Sequence, residues 1–134
     1  MLDVHLDEFF KDCASILLLG LKQFPRPQTL FVQDIAGADQ MDEFGLHSER
    51  HLSALGAITW LRDEGFIRFS GYDREESVDD FVLTSRSLGK LLKPSASARQ
   101  DPVPFFQTLE FALLDGDTTW IRQMLQDDFL QPGY

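Results

Sequence analysis

Ser48-Glu49-Arg50-His51-Leu52-Ser53-Ala54-Leu55-Gly56-Ala57-Ile58-Thr59-Trp60-Leu61-Arg62-Asp63-Glu64-Gly65-Phe66-Ile67-Arg68-Phe69 is the stretch on which the fold turns. Ser48 is placed to cap a helix, because its hydroxyl can accept from an amide of the first turn. Leu52, Leu55, Ile58 and Leu61 recur three or four apart and form a broad aliphatic face. Gly65 supplies the helix stop. Phe66-Ile67-Arg68-Phe69 then alternates weakly, as a strand does. Ser70 to Ser77 is polar and charged and contains Gly71, so it reads as a hairpin tip. Val78 to Thr84 carries Phe81-Val82-Leu83 as the returning strand, and Ser85 is expected to cap a short helix through Leu92.

Upstream, the spacing of Phe9, Phe10, Cys13, Ile16, Leu17, Leu21 and Phe24 predicts a helix from about Asp7 to Phe24. Asp7 and Glu8 suit the positive end of its dipole and Lys22 the negative end. Pro25 and Pro27 end it. Thr29-Leu30-Phe31-Val32 reads as an edge strand, and Ile35 to Glu43 as a short helix or irregular turn. Downstream, Pro94 to Pro104 holds three prolines and reads as a linker. Phe105 to Leu114 and Asp117 to Phe129 are two helical patterns broken by Gly116. The expected class is α+β and mostly helical. The expected division is a core over residues 1–93, a linker over 94–104 and a C-terminal helical hairpin over 105–134.

Helix, short strand, helical segment, long helix and β-hairpin is the order of a winged helix-turn-helix core with a small antiparallel wing. Local sequence carries the same resemblance. Trp60-Leu61-Arg62-Asp63-Glu64-Gly65-Phe66-Ile67-Arg68 resembles the end of the recognition helix and the start of the wing in bacterial winged-helix regulators. Phe81-Val82-Leu83-Thr84, with Leu88-Gly89-Lys90-Leu91-Leu92, resembles the end of their wing and the helix after it. The resemblance covers about Asp7 to Lys93. It implies a fold rather than a job, since one scaffold hosts many functions.

Two features set the chain apart from a DNA-binding member. Glu49, Arg50, Ser53, Gly56, Ala57 and Trp60 fall opposite the aliphatic face of the long helix, where a major groove would be read. Small residues with one aromatic anchor suit a protein contact better. The partner-binding face is therefore assigned to Glu49, Arg50, Ser53, Ala57 and Trp60. The second feature is the wing tip, where Asp73, Glu75, Glu76, Asp79 and Asp80 surround Arg74. Such charge repels a phosphate backbone.

Twelve basic against twenty-two acidic residues give a net charge of −10. Residues 1–47 hold three basic and eight acidic groups (−5), residues 48–93 seven and eight (−1), and residues 94–134 two and six (−4). A nucleic-acid binder usually shows a basic face. The leading expectation is a non-catalytic regulatory module that acts through protein contacts, with a protein partner or a second copy. The alternative is a dimeric DNA-binding transcriptional regulator, its phosphates met by Arg50, Arg62, Arg68, Arg74, Arg86, Lys90 and Lys93. A more distant alternative is an enzyme with a dispersed carboxylate site. Self-association is assigned to Phe105, Phe106, Leu109, Leu113, Ile121 and Leu125, an apolar surplus for two short helices, so a homodimer is expected.

Little in the chain points to cofactor chemistry, and no cofactor is expected. His47 and His51 sit four apart, as metal-binding pairs do, but lack the Glu directly after the first His that zinc proteases carry. The rest of a ligand set would have to come from carboxylates, so no metal is assigned. The acidic hairpin lacks the glycine turn and terminal Glu of a calcium loop. Cys13, the single cysteine, falls in the apolar pattern of the first helix and reads as a small hydrophobe. The absence of a signal-like start and of a long apolar run makes the cytoplasm, with no membrane contact, the expected location.

Overall fold

The computed structural model describes residues 2–94 and 102–131, with backbone alone at residues 2 and 3. Helix α1 spans Leu2–Gln23. It begins a turn earlier than the apolar spacing indicates, because nothing in Leu2 to Leu6 breaks a helix. Strand β1 is Gln28–Phe31 and the one-turn helix α2 is Gln33–Ala36. Helix α3 is Glu49–Asp63. Strands β2 (Ile67–Arg68), β3 (Gly71–Asp73) and β4 (Ser77–Leu83) follow, then α4 (Ser85–Leu92), α5 (Phe105–Asp115) and α6 (Thr118–Met124). The chain closes on a five-residue π turn, Leu125–Phe129.

Strand β4 is the hub of an antiparallel sheet. It pairs with β1 on one side, and with β2 and β3 on the other. Ile67 lies opposite Leu83 and Asp73 opposite Ser77, so β2 and β3 share one register and are broken only at Phe69 and Ser70. Gly71 lies within β3, at the start of the stretch Ser70 to Ser77 read as the tip. The tip is Arg74-Glu75, both left-handed, with the Glu76 amide donating to the Asp73 carbonyl. That is the twist a two-residue hairpin needs, here made without glycine.

Caps follow the sequence with one shift. Ser48 accepts from the His51 amide, Asp117 from the Trp120 amide, and Gly116 takes the left-handed position after α5. At α4 the capping oxygen is that of Thr84, not Ser85, and it accepts from the Ser87 amide at 3.3 Å. The inward face of α3 also differs from expectation. His51, Ala54, Leu55, Ala57, Ile58 and Leu61 are buried, while Leu52 is 45% exposed. Alanines let α1 approach closely, so the helix turns its small residues inward along with its large ones.

One apolar cluster runs through the described chain. Phe10, Cys13, Ile16 and Leu17 of α1 meet Leu55, Ile58 and Leu61 of α3, the sheet residues Ile67, Val78, Phe81 and Leu83, and the C-terminal helices. Gly20 of α1 lies against β4. A Cβ there would meet Leu83 Cδ2 at 2.7 Å and Phe81 Cζ at 3.0 Å. Phe129, at the end of the π turn, stacks obliquely on Phe66 at 5.0 Å and on Phe105 at 5.7 Å.

The C-terminal helices therefore pack in cis on α1 and α4. Phe105, Leu109, Ile121 and Leu125 are at most 2% exposed within their own chain, and Phe106 and Leu113 pack against the same core. Phe105, Leu109, Ile121 and Leu125 therefore have no surface left for the self-association assigned to them, whereas Phe106 and Leu113 are only partly covered. Residues 95–101 of the expected linker and 132–134 of the expected hairpin lie outside the described residues. The linker's ends close on each other through a bridge between Pro94 and Pro104, and the Phe105 amide donates to the Lys93 carbonyl at 2.6 Å. No helix among the described residues is long and apolar enough to cross a membrane.

Candidate functional site

The outer face of α3 does not stand free in solvent. It forms one wall of a groove of about 600 Å³ whose other wall is the N-terminal half of α1. His5, Glu8 and Phe9 line it from α1, and Glu49, Leu52, Ser53, Gly56, Ala57 and Trp60 from α3. The spacing of Ser53, Gly56 and Ala57 puts a strip of small residues along the floor. A Cβ added to Gly56 would meet nothing within 4 Å, so this helix position opens onto empty space.

The five residues assigned to a partner face reach the groove unequally. Glu49 is exposed, and Ser53 and Trp60 are half-buried. Trp60 meets the edge of Phe9 at 5.2 Å and tilts over Phe66 at 6.4 Å, so one side of the indole is core and the other is groove wall. Ala57 is 1% exposed and contributes only floor. Arg50 is withdrawn altogether. Its guanidinium forks onto the Asp12 carboxylate at 2.6 and 2.8 Å, approaches Glu8 at 3.6 Å and donates to the Ile35 carbonyl at 3.4 Å. Asp12 is itself buried, and burial raises its pKa more than the Arg50 hydrogen bonds and charge lower it. The residue best suited by type to read a base is a clamp between α1, α2 and α3.

Because Leu61 is fully buried, Leu61→Ala should cost about 2–5 kcal/mol. Trp60→Ala should cost less, because the indole is only partly buried and one side of it lines the groove. Chemical denaturation of both variants checks this. Equal losses would make Trp60 a core residue and deprive the groove of its wall.

Four of the other six cations of the DNA alternative are also engaged. Arg62 pairs with Asp63 and lies over the Phe69 ring at 4.8 Å. Arg86 donates to the Glu64 carbonyl at 2.6 Å and covers Phe66 at 4.3 Å. Lys90 is 8% exposed, is held below its ordinary pKa by burial and donates to the Gln131 carbonyl. Arg74 meets Asp73 at the exposed hairpin tip, a pair that restrains it weakly. Arg68 and Lys93 are exposed.

Sequence reading left His47 and His51 as an incomplete pair. The structure stacks the two imidazoles at 4.0 Å and brings Asp39, from the loop after α2, against them. Asp39 carried no local signal, since its partners lie eight and more residues away. Compared with known proteins, the chain matches no family model, no curated protein and no solved structure.

Proposed function

We propose that this chain is a non-catalytic winged helix-turn-helix module that works by protein contact. It takes an amphipathic helix of a partner protein, with basic flanks, into the groove between α1 and α3. The order of elements and the sheet order β1-β4-β2 support the fold reading. The observation that carries the functional reading is the state of the outer face of α3. Its arginine is spent on Asp12, while Trp60, Leu52 and the open Gly56 position face a groove with Glu8 and Glu49 among its lining. Apolar anchors set against small residues suit a helix laid in a groove, and acidic lining with a net charge of −10 favours Lys or Arg on its flanks. The acidic hairpin tip and the engaged cations weigh against DNA.

Two titrations test this. A synthetic helix with Leu at i, i+3, i+4 and i+7 and Lys flanks should perturb the Gly56 amide and Trp60 indole NMR signals. It should bind with a dissociation constant on the order of 0.1 mM or tighter. The same helix with Glu flanks should not bind. Gly56→Phe fills open space, so it should leave the fold intact and abolish the effect. Equal binding of both helices, or binding that survives Gly56→Phe, would overturn the groove as the site.

Random duplex DNA at low salt should bind more weakly than about 0.1 mM, the weak end of ordinary non-specific binding. Micromolar binding with a steep salt dependence would reinstate the DNA reading. A second copy of the chain, if it associates, should meet this same groove rather than the exposed Phe111 and Leu114 of α5, because Trp60, Leu52 and the open Gly56 position lie together there. Loss of self-association in Gly56→Phe would show that.

A further inference from the structure

Behind the hairpin, on the side of α3 away from the groove, three metal-ligating side chains converge. Asp39 Oδ2 lies 2.5 Å from His47 Nδ1 and 3.7 Å from His51 Nδ1. All three ligand atoms fall within 4.8 Å of one another. The ion pair with His47 holds the Asp39 carboxyl well below the usual carboxylate range.

Two of the three are oriented by a second contact. Asp39 Oδ1 accepts from the Ser48 amide at 3.0 Å and from its hydroxyl at 2.8 Å, which leaves Oδ2 turned to the histidines. Ser48 is the cap of α3, so the carboxylate is registered to the start of that helix. His51 Nε2 donates to the Glu75 carbonyl at 2.8 Å. A carbonyl can only accept, so Nε2 carries a proton, and in the neutral imidazole Nδ1 then keeps its lone pair. That side chain is 2% exposed, and Nδ1 has no hydrogen-bond partner. A buried lone pair without a donor is costly. Here it points at a carboxylate oxygen, which has no proton to offer. An electron-pair acceptor between the two would satisfy both.

We infer that Asp39, His47 and His51 form a binding site for a divalent transition ion of the zinc class. Two imidazole nitrogens and one carboxylate oxygen suit such an ion, and three protein ligands leave one position open. The Glu75 carbonyl on His51 and Ser48 on Asp39 are the outer contacts that metal-ligating residues ordinarily have. Ligand bonds of about 2.0–2.2 Å require the Asp39–His47 contact to open and the stacked imidazoles to turn out of parallel as the ion enters, since each Nδ1 lone pair lies in its own ring plane. Asp39 belongs to the loop between α2 and α3 and has room for this. The open position faces a cleft of about 450 Å³ that Asp34 and Glu76 also line, so the fourth ligand is water or one of these carboxylates. Magnesium and calcium, which prefer oxygen ligands in greater number, fit poorly.

The full-length chain, stripped with chelator, should be titrated with zinc against a chromophoric competitor, with magnesium and calcium as controls. One zinc per chain is expected, and neither control ion should compete. His47→Gln and Asp39→Asn should each weaken binding at least about 100-fold, beyond the 10–100-fold that loss of an outer contact costs. Asp115→Asn, at the exposed end of α5, should leave zinc binding unchanged. Should a ligand variant fail to fold, imidazole nitrogen NMR of the unaltered chain decides instead. Zinc must shift Nδ1, not Nε2, of both His47 and His51, and cobalt(II) must give the intense visible bands of a four-coordinate site. Absence of zinc binding at 0.1 mM would overturn the site and leave a stacked Asp–His pair that serves only structure. So would zinc ligation through Nε2, or binding unchanged in His47→Gln. None of these outcomes bears on the groove, so the two readings stand or fall apart.

Discussion

A chain ending at Lys93 is expected to lose its cooperative fold. The cut removes Phe105, Leu109, Ile121, Met124, Leu125 and Phe129, all at most 2% exposed. At about 1.5–3 kcal/mol for each large buried apolar side chain, the gross loss is about 9–18 kcal/mol. Removing the segment also saves its ordering entropy, but it strips cover from Cys13, Ile16, Leu17 and Phe66, which stay behind. A small domain holds only about 5–15 kcal/mol in all. Near-UV circular dichroism and denaturant titration of the truncated and full chains measure the effect. A truncated chain with a sharp unfolding transition would show that residues 105–131 are an accessory to the core.

Arg50→Ala should cost about 2–4 kcal/mol, a large effect for a helix-surface residue. Its loss leaves the Asp12 carboxylate, with a side chain 3% exposed, without its fork. Breaking a buried ion pair from one side costs about 3–5 kcal/mol, and the one-third exposure of Arg50 reduces that. The pH dependence has a definite sign. Burial already raises the Asp12 pKa above the ordinary 3.8, and removing Arg50 raises it further. A carboxyl whose folded pKa lies above its unfolded one stabilises the fold most when protonated, and that stability is lost as pH rises through the folded value. The gap between variant and parent should therefore narrow as pH falls toward 3.8, where the orphaned carboxyl is neutral. Asp12→Asn in the Arg50→Ala background should recover part of the loss at neutral pH. A gap that widens on acidification would mean that Arg50 contributes through packing rather than through Asp12.

Periodicity located α1, α3, β4 and the C-terminal helices because each has an apolar stripe or a marked stop, as Ser48 and Gly65 mark α3. It failed where small residues decide. Counting only large side chains put Leu52 inside and Ala57 outside, yet the close approach of α1 turns the alanines inward. The hairpin tip fell inside the charged stretch around Arg74 that the sequence marked, but its two left-handed residues, Arg74 and Glu75, carry no glycine signal that would have placed the turn to the residue. The sites were less legible still. Arg50 could be placed on a helix face, but its clamp on Asp12 joins positions 38 residues apart. Asp39 lies in a stretch with no periodicity, and its role exists only once the loop folds back on Ser48. The apolar excess of residues 105–131 was visible, but whether it would be met by this chain or another depends on what α1 leaves uncovered, and a linear pattern does not contain that.

Gly20 and Leu83 make a pair in a sense that reaches past this one molecule. The space a methyl group at position 20 would need is filled by Leu83 Cδ2 and Cγ, at 2.7 and 2.8 Å. Position 20 cannot gain a side chain while Leu83 stands. In a descendant lineage, alanine at 20 becomes tolerable only after 83 has shrunk to valine or smaller, and a larger residue at 83 keeps glycine at 20. Two sites 63 residues apart should thus covary, and the order of substitution should be fixed, with the strand yielding before the helix.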